Sequence, residues 1–187
     1  FQKQMENSSS VYFINTNVIR TRGWSSANVS GAGATLNNKK QTWQLRMNGA
    51  VSNILTPIDS LEGEFDARLG YQYDVRIAKN SGKLQYFVSR TVKSRNFDAN
   101  DMGITFETNF AHQNAGLTYF IFNPLKRLNQ GNFGIYTNYQ YNLATFERNM
   151  FNVNIDSWFQ FRNFSNMFFG AEIAPYDIRD YYEPRET

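Results

Sequence analysis

Residues Glu64 to Lys79 read EFDARLGYQYDVRIAK, and polar and apolar side chains alternate through these sixteen positions with hardly a fault. Phe65, Ala67, Leu69, Tyr71, Tyr73, Val75 and Ile77 fall on one face, and Glu64, Asp66, Arg68, Gln72, Asp74 and Arg76 on the other. A period of two is the signature of a strand with one apolar and one wet side. At ~3.3 Å per residue the run would reach roughly 50 Å, whereas strands of soluble domains usually stop at about 5–6 residues. A membrane-spanning strand needs about 9–11 residues, so this one is long enough to cross a bilayer and project beyond it.

The rest of the composition agrees with that placement. The 187-residue chain is 17% aromatic, yet its mean hydropathy is −0.55. No apolar run approaches the ~20 residues of a membrane helix. In a transmembrane barrel apolar residues occupy alternate positions only, which reconciles many rings with low hydropathy. A soluble, aromatic-rich β-sandwich is the competing reading. The net charge of +3 is spread among interleaved acids and bases, unlike the clustered Lys and Arg of a nucleic-acid footprint. Cysteine is absent, which excludes disulfides and thiolate metal sites. The opening FQKQMENSSS has neither a charged n-region nor an apolar h-region, so any export signal is expected to be already removed or to lie upstream.

Alternation recurs nearly end to end. Trp43, Leu45, Met47 and Val51 alternate with Gln44, Arg46, Asn48 and Ser52. Leu84, Tyr86, Val88 and Val92 form a further run; Met102, Ile104, Phe106 and Phe110 resume the pattern; Leu117, Tyr119 and Ile121 follow. Phe133, Ile135, Tyr139 and Tyr141 face away from Asn138, Gln140 and Asn142, and Phe151, Val153, Ile155 and Phe159 oppose Asn152, Asn154, Asp156 and Gln160. Met167, Phe169, Ala171 and Ile173 close the series. Turn-forming residues separate the runs at Asn80–Gly82, Gln113–Gly116, Asn129–Asn132 and Arg162–Asn166. Alternation is weaker over Val11–Arg22 and Asn28–Leu36.

Long alternating strands with short connections predict an all-β chain, an antiparallel up-and-down transmembrane β-barrel with about eight to ten strands in this segment. Residues 1–187 read as one β-barrel segment without linker or low-complexity tract. Severed sheet edges in lipid would leave backbone groups unpaired at several kcal/mol each, and the closing IRDYYEPRET is loop-like rather than strand-like. The segment is therefore expected to belong to a larger barrel and a longer polypeptide.

The polar face supplies the candidate functional groups. Arg68, Asp74, Arg76, Gln140, Asp156 and Arg162 are expected to line the lumen, where carboxylates among arginines form charge ladders across a pore. Carboxylates on neighbouring strands act on a glycoside when about 5–10 Å apart, but neighbouring arginines would keep Asp66, Asp74 and Asp156 ionised and make them poor general acids. Asp98, Asn100 and Asp101 offer three oxygen side chains that suit Ca²⁺ in principle. They lack the spacing and distal Glu of an EF-hand, and an Asx-rich turn closed by Gly103 is the favoured reading. His112 is the single histidine, insufficient for a zinc or facial-triad site within this chain. No nucleophile elbow accompanies it. Trp24, Trp43, Trp158, Tyr181 and Tyr182 are candidate anchors at the headgroup zone; rings near loops would alternatively stack on sugars.

Ser89 to Phe110, SRTVKSRNFDANDMGITFETNF, together with Asn123-Pro124 and the closing Asp180-Tyr181-Tyr182-Glu183-Pro184-Arg185, resembles the C-terminal barrel region of a family of large outer-membrane proteins of Bacteroidota. The resemblance covers about residues 24 to 187, and its distinctive parts are the FDANDMG loop and the DYYEPR segment. It implies a bacterial outer-membrane location and a barrel of no established function. It also implies a parent chain that often carries an N-terminal carbohydrate-binding domain similar to family 9 modules.

The expected function is that of an integral outer-membrane β-barrel, non-catalytic in this segment. It would anchor a surface carbohydrate-binding or processing domain, or form a pore or assembly partner for uptake. Its expected partners are membrane lipid and lipopolysaccharide, with glycans or other outer-membrane proteins, and no nucleic acid. The alternative is a soluble carbohydrate-binding β-sandwich or an accessory domain of a hydrolase.

Overall fold

A computed structural model describes residues 1–20, 25–58, 65–99 and 107–178. Ten strands follow one another: β1 (Gln2–Gln4), β2 (Ser10–Val18), β3 (Ser26–Asn37), β4 (Trp43–Pro57), β5 (Phe65–Lys79), β6 (Leu84–Lys93), β7 (Phe110–Ile121), β8 (Leu128–Asn142), β9 (Arg148–Phe161) and β10 (Asn166–Ile173). They form one antiparallel meander in sequence order. The sheet is not closed into a barrel: β1 and β10 are its two edges. The weakly alternating stretches near the N-terminus are β2 and β3, stabilised there by ladders on both sides that their own sequence does not advertise.

The accessible surface is 13004 Å² for 21.7 kDa, where a compact protein of that mass would expose about 9,200 Å². A two-layer sandwich would approach the lower figure. One sheet accounts for the excess, because most of both faces stays accessible.

Two of the expected turns are strand interior. Gln113–Gly116 lies inside β7, paired residue for residue with β6 and β8. Gly116 is small there for steric reasons, since a Cβ would lie 2.5 Å from the Phe87 ring and 2.6 Å from that of Tyr136, its two cross-strand neighbours. Asn129–Asn132 lies inside β8, where a bulge between Leu128 and Gln130 absorbs an irregularity in register. The chain reverses instead at 122–127, around Asn123-Pro124.

The connections sort by end. Those at 5–9, 38–42, 80–83, 122–127 and 162–165 are short and share one end of the sheet. Four of the five hold a residue in the left-handed region, Ser8, Gln41, Gly82 and Phe164, which lets so few residues reverse the chain. The opposite end carries 19–25, 58–64, 94–109 and 143–147.

Register assigns every side chain to a face, because directly paired residues point the same way. The apolar face is open over much of its area, with Leu69 65% exposed, Val88 61% and Phe169 56%, while Val92 and Ala111 on it are buried. Buried residues on the polar face include Ser52, Ser89 and Asn152. This is the reverse of a soluble half-buried sheet, whose apolar face is covered.

Aromatic groups mark both ends of the apolar face. Near the short turns Trp43 meets Tyr86 edge to face at 5.6 Å, on either side of Lys79. Near the opposite end Tyr139, Tyr141, Phe146, Phe151 and Tyr176 form a chain of ring contacts between 5.8 and 6.3 Å. Arg148 lies over Tyr176 at 3.9 Å. The row containing Tyr86 reaches β8 at Ile135, six residues before Tyr141, or about 20 Å along the strand. Between the two rows lie Val88, Ala115, Thr137 and Val153, and then Val75, Arg90, Gln113 and Tyr139.

Candidate functional site

The polar face is organised in rows that run across the strands. One row contains Tyr12, Gly33, Asn48, Asp74, Thr91, His112, Gln140 and Met150, one residue from each strand from β2 to β9. Asp74 is its hub. Its Oδ1 accepts from Asn48 Nδ2 at 3.3 Å and lies 3.4 Å from Arg46 Nε, and its Oδ2 accepts from the Thr91 hydroxyl at 3.2 Å. Tyr12 reaches across Gly33 to donate its hydroxyl to Asn48 Oδ1 at 3.1 Å.

Arg46 and Arg76 are paired directly across β4 and β5, an arrangement that is unfavourable for like charges. Two contacts offset it: Arg46 turns to Asp74, and the Arg76 guanidinium lies 3.7 Å over the Phe87 ring. Phe87 in turn neighbours Tyr136, with 6.4 Å between centroids, and the Tyr136 and Thr118 hydroxyls share a 2.8 Å hydrogen bond. Electrostatic and stacking contacts thus link β4 through β8.

The connection after β6 folds back onto this face. Ser94 bonds Tyr71 twice, through its amide to the Tyr71 carbonyl at 2.9 Å and through its hydroxyl, which accepts from the Tyr71 amide at 2.8 Å. The backbone of Asn96 and Phe97 then lies directly against Gly70, where a Cβ would collide with it. Asp98 donates its amide to Ser52 Oγ at 3.0 Å, and Phe97 is only 3% exposed. Ala27, Val29 and Ile54, on the same face, are also buried. A tightly enclosed cluster therefore sits on the polar face, beneath a loop.

Two cavities flank that loop. One of about 420 Å³ is lined by Ile54, Arg68, Arg95, Asn96, Phe97, Asp98 and Thr108. The other, about 510 Å³, lies between β2 and β6 and includes Tyr12, Asn48, Gln72, Asp74, Thr91 and Phe97.

The residues expected to line a lumen are dispersed over this face rather than gathered. Asp74 and Arg76 belong to the charged cluster, and Gln140 shares the Asp74 row three strands away. Arg68 is exposed beside the loop. Asp156 stands on β9 between Gly134 and Gly170. Arg162 lies past the end of β9 in a turn, where its Nε donates to the Leu125 carbonyl at 3.2 Å. Asp66 and Asp74 are eight positions apart on one strand, about 27 Å, and Asp156 is four strands away. None of these carboxylates makes the close pair that glycoside hydrolysis needs.

Of the loop oxygens considered for Ca²⁺, Asp98 is described; Asn100 and Asp101 lie outside the described residues. No three metal-ligating side chains converge among the described residues. His112 sits between Thr91 and Gln140, its buried Nε2 without a hydrogen-bond partner among the described residues. Of the expected anchors, Trp43 lies on the apolar face at the short-turn end, 41% exposed. Trp158 points to the polar face, between Asn132 and Phe168. Trp24, Tyr181 and Tyr182 are outside the described residues. Sequence reasoning missed Arg46, Ser52, Gly70 and Thr91; the strict alternation placing them on the Asp74 face was the signal that could have found them.

The fold and face chemistry define an all-β protein built from a single up-and-down meander, open at both edges, with its polar groups on the more enclosed side. The whole chain, residues 1–187, matches the family described as Domain of unknown function (DUF5916), and the chain belongs to that family. Comparison with curated proteins finds no match, nor does comparison with solved structures.

Proposed function

We propose that this chain is a segment of a transmembrane β-barrel in a bacterial outer membrane, non-catalytic in itself, whose lumen is narrowed by the loop at 94–99. The carrying observation is the inversion of the two faces. Leu69, Val88 and Phe169 are exposed on the apolar side, while Ser52, Ser89 and Asn152 are buried on the polar side. Lipid would cover the first face, and a wetted lumen would serve the second. Aromatic groups at both ends of the apolar band, about 20 Å apart along the strands, support the same reading, because indole and phenol rings favour headgroup zones. Short turns at one end and a sixteen-residue connection at the other match the usual asymmetry of outer-membrane barrels.

In this reading further strands pair with the edges of β1 and β10, since lipid would not tolerate unpaired backbone there. The loop tied to Ser52, Gly70 and Tyr71 makes the segment a restricted pore, or the membrane anchor of a surface domain that handles carbohydrate. The Ser89–Phe110 motif, similar to that of Bacteroidota barrel proteins, supports the location. Its partners would be lipid and lipopolysaccharide on the outside and solutes or glycans within.

The test is heat-modifiability of the native protein from the outer-membrane fraction. A folded band that shifts on boiling is the expected result. A soluble species whose migration does not change on boiling would overturn the proposal and favour a water-soluble carbohydrate-binding module.

A further inference from the structure

On the polar face, β8, β9 and β10 leave a clearing around Asp156. Its cross-strand neighbours are Gly134 and Gly170, so no side chain stands beside the carboxylate along its row. A Cβ added to Gly170 would meet nothing within 4 Å, whereas one added to Gly134 would meet the Tyr136 ring and hydroxyl at 2.7 Å, so the opening lies on the Gly170 side. Asp156 is exposed and makes no hydrogen bond among the described residues. The adjacent row toward the short turns holds Asn132, Trp158 and Phe168. Phe168 is 75% exposed, although it lies on the polar face. The row on the other side holds Tyr136, Asn154 and Glu172. The exposed Phe168 ring and the half-buried Trp158 ring thus border the bare backbone of Gly170, with carboxylate and carboxamide groups around it.

The charges here differ from those of the remaining sheet. The polar-face positions of β7 to β10 contain no Lys or Arg, whereas β4 and β5 carry Arg46, Arg68 and Arg76 on that face. An anionic ligand would find no counter-charge in the clearing. Carboxamides and carboxylates together accept and donate to hydroxyl groups, while ring faces take the apolar C–H side of a pyranose. Gly170 lets a flat ligand approach the backbone closely.

We infer that this clearing is a binding platform for a neutral oligosaccharide, with Trp158 and Phe168 as stacking rings and Asp156, Asn132 and Asn154 as hydroxyl partners. It rests on the barrel reading only in making this face a lumen. The platform occupies β8–β10, apart from the arginine cluster and the loop at 94–99, so solute would meet it as a separate station along the face.

The experiment is equilibrium dialysis of the full chain, purified in detergent, against gluco-, xylo- and manno-hexaose at millimolar concentration. Binding of at least one hexaose is expected. Trp158→Ala and Phe168→Ala should each weaken it about tenfold, the effect of losing one good ring contact. Asp156→Asn should weaken it less, and Phe169→Ala, which alters the opposite face, should leave it unchanged. Folded protein that binds none of the three, or binding that survives both ring substitutions, would overturn the inference. So would binding confined to a cationic amine such as choline. The heat-shifted band of each sample reports the barrel independently, so a folded barrel without sugar affinity refutes this inference alone.

Discussion

Asp98 donates its backbone amide to Ser52 Oγ at 3.0 Å across 46 positions of sequence, and Ser52 has no accessible surface left. This bond turns the connection after β6 into part of the polar face. Ser52→Ala removes the acceptor and leaves a half-buried amide without its partner, at a cost of about 1–3 kcal/mol. The expected readout is a lower urea midpoint together with faster hydrogen exchange at the Asp98 amide. Unchanged exchange at that amide would show that the tether does not hold the loop.

Gly70 permits the same docking by lacking a side chain. The obstacle to a Cβ there is the backbone of Asn96 and Phe97, which cannot swing aside as a long side chain would. Gly70→Ala should lift the loop, cost about 1–3 kcal/mol, and open the bond after Arg95 to trypsin. Gly49→Ala is the control, because its Cβ would meet only the Gln72 carbonyl at 3.8 Å. Equal trypsin resistance in the two variants would remove the steric role of Gly70.

Asp74 pairs with Arg46, one of two guanidinium groups that the register sets opposite each other. Asp74→Ala should therefore destabilise more than Arg46→Ala, since the first leaves Arg46 and Arg76 opposed and the second removes the opposition. The Arg46 and Asp74 side chains are 45% and 25% exposed, so solvent screening limits the difference to about 1 kcal/mol or less. It should shrink as salt is raised. Denaturation midpoints at low and high ionic strength test the order; a reversed order at low salt would mean that the bonds from Asn48 and Thr91, not charge, hold the cluster.

Ile77 and Val88 are directly paired within the apolar band, 52% and 61% exposed. In the barrel reading Ile77→Arg and Val88→Arg each place a charge in lipid, at up to about 2–4 kcal/mol toward the midplane. Gln72→Arg, on the polar face, should be tolerated. The measurement is the fraction of protein giving a heat-shifted band after folding into lipid vesicles. Indifference to all three substitutions is what a water-exposed sheet would show.

Much of the architecture was legible because strand alternation is a local property of the pleat. The run from Phe65 to Ile77 gave β5 and both of its faces directly, and the Asn80–Gly82 reversal fell where expected. Gln113–Gly116 was misleading: its turn-forming residues serve packing, with Gly116 small so that Phe87 and Tyr136 can face each other across it. Trp158 had been expected as a headgroup anchor, but its even position on β9 puts it with Asp156 and Gln160 on the polar side. That assignment needed only the period of two, applied to a residue whose type suggested the other face.

By itself, the sequence determined an all-β chain of long two-faced strands in antiparallel succession, because the pleat sends successive side chains to opposite faces whatever surrounds them. Only the tertiary structure decided which polar residues meet. The pairing of Arg46 with Arg76, the capture of residues 94–99 over Ser52 and Gly70, and the clearing around Asp156 all depend on register between strands and on where a side chain is missing. Those relations arise from steric fit between distant segments, and the chain must fold before they exist.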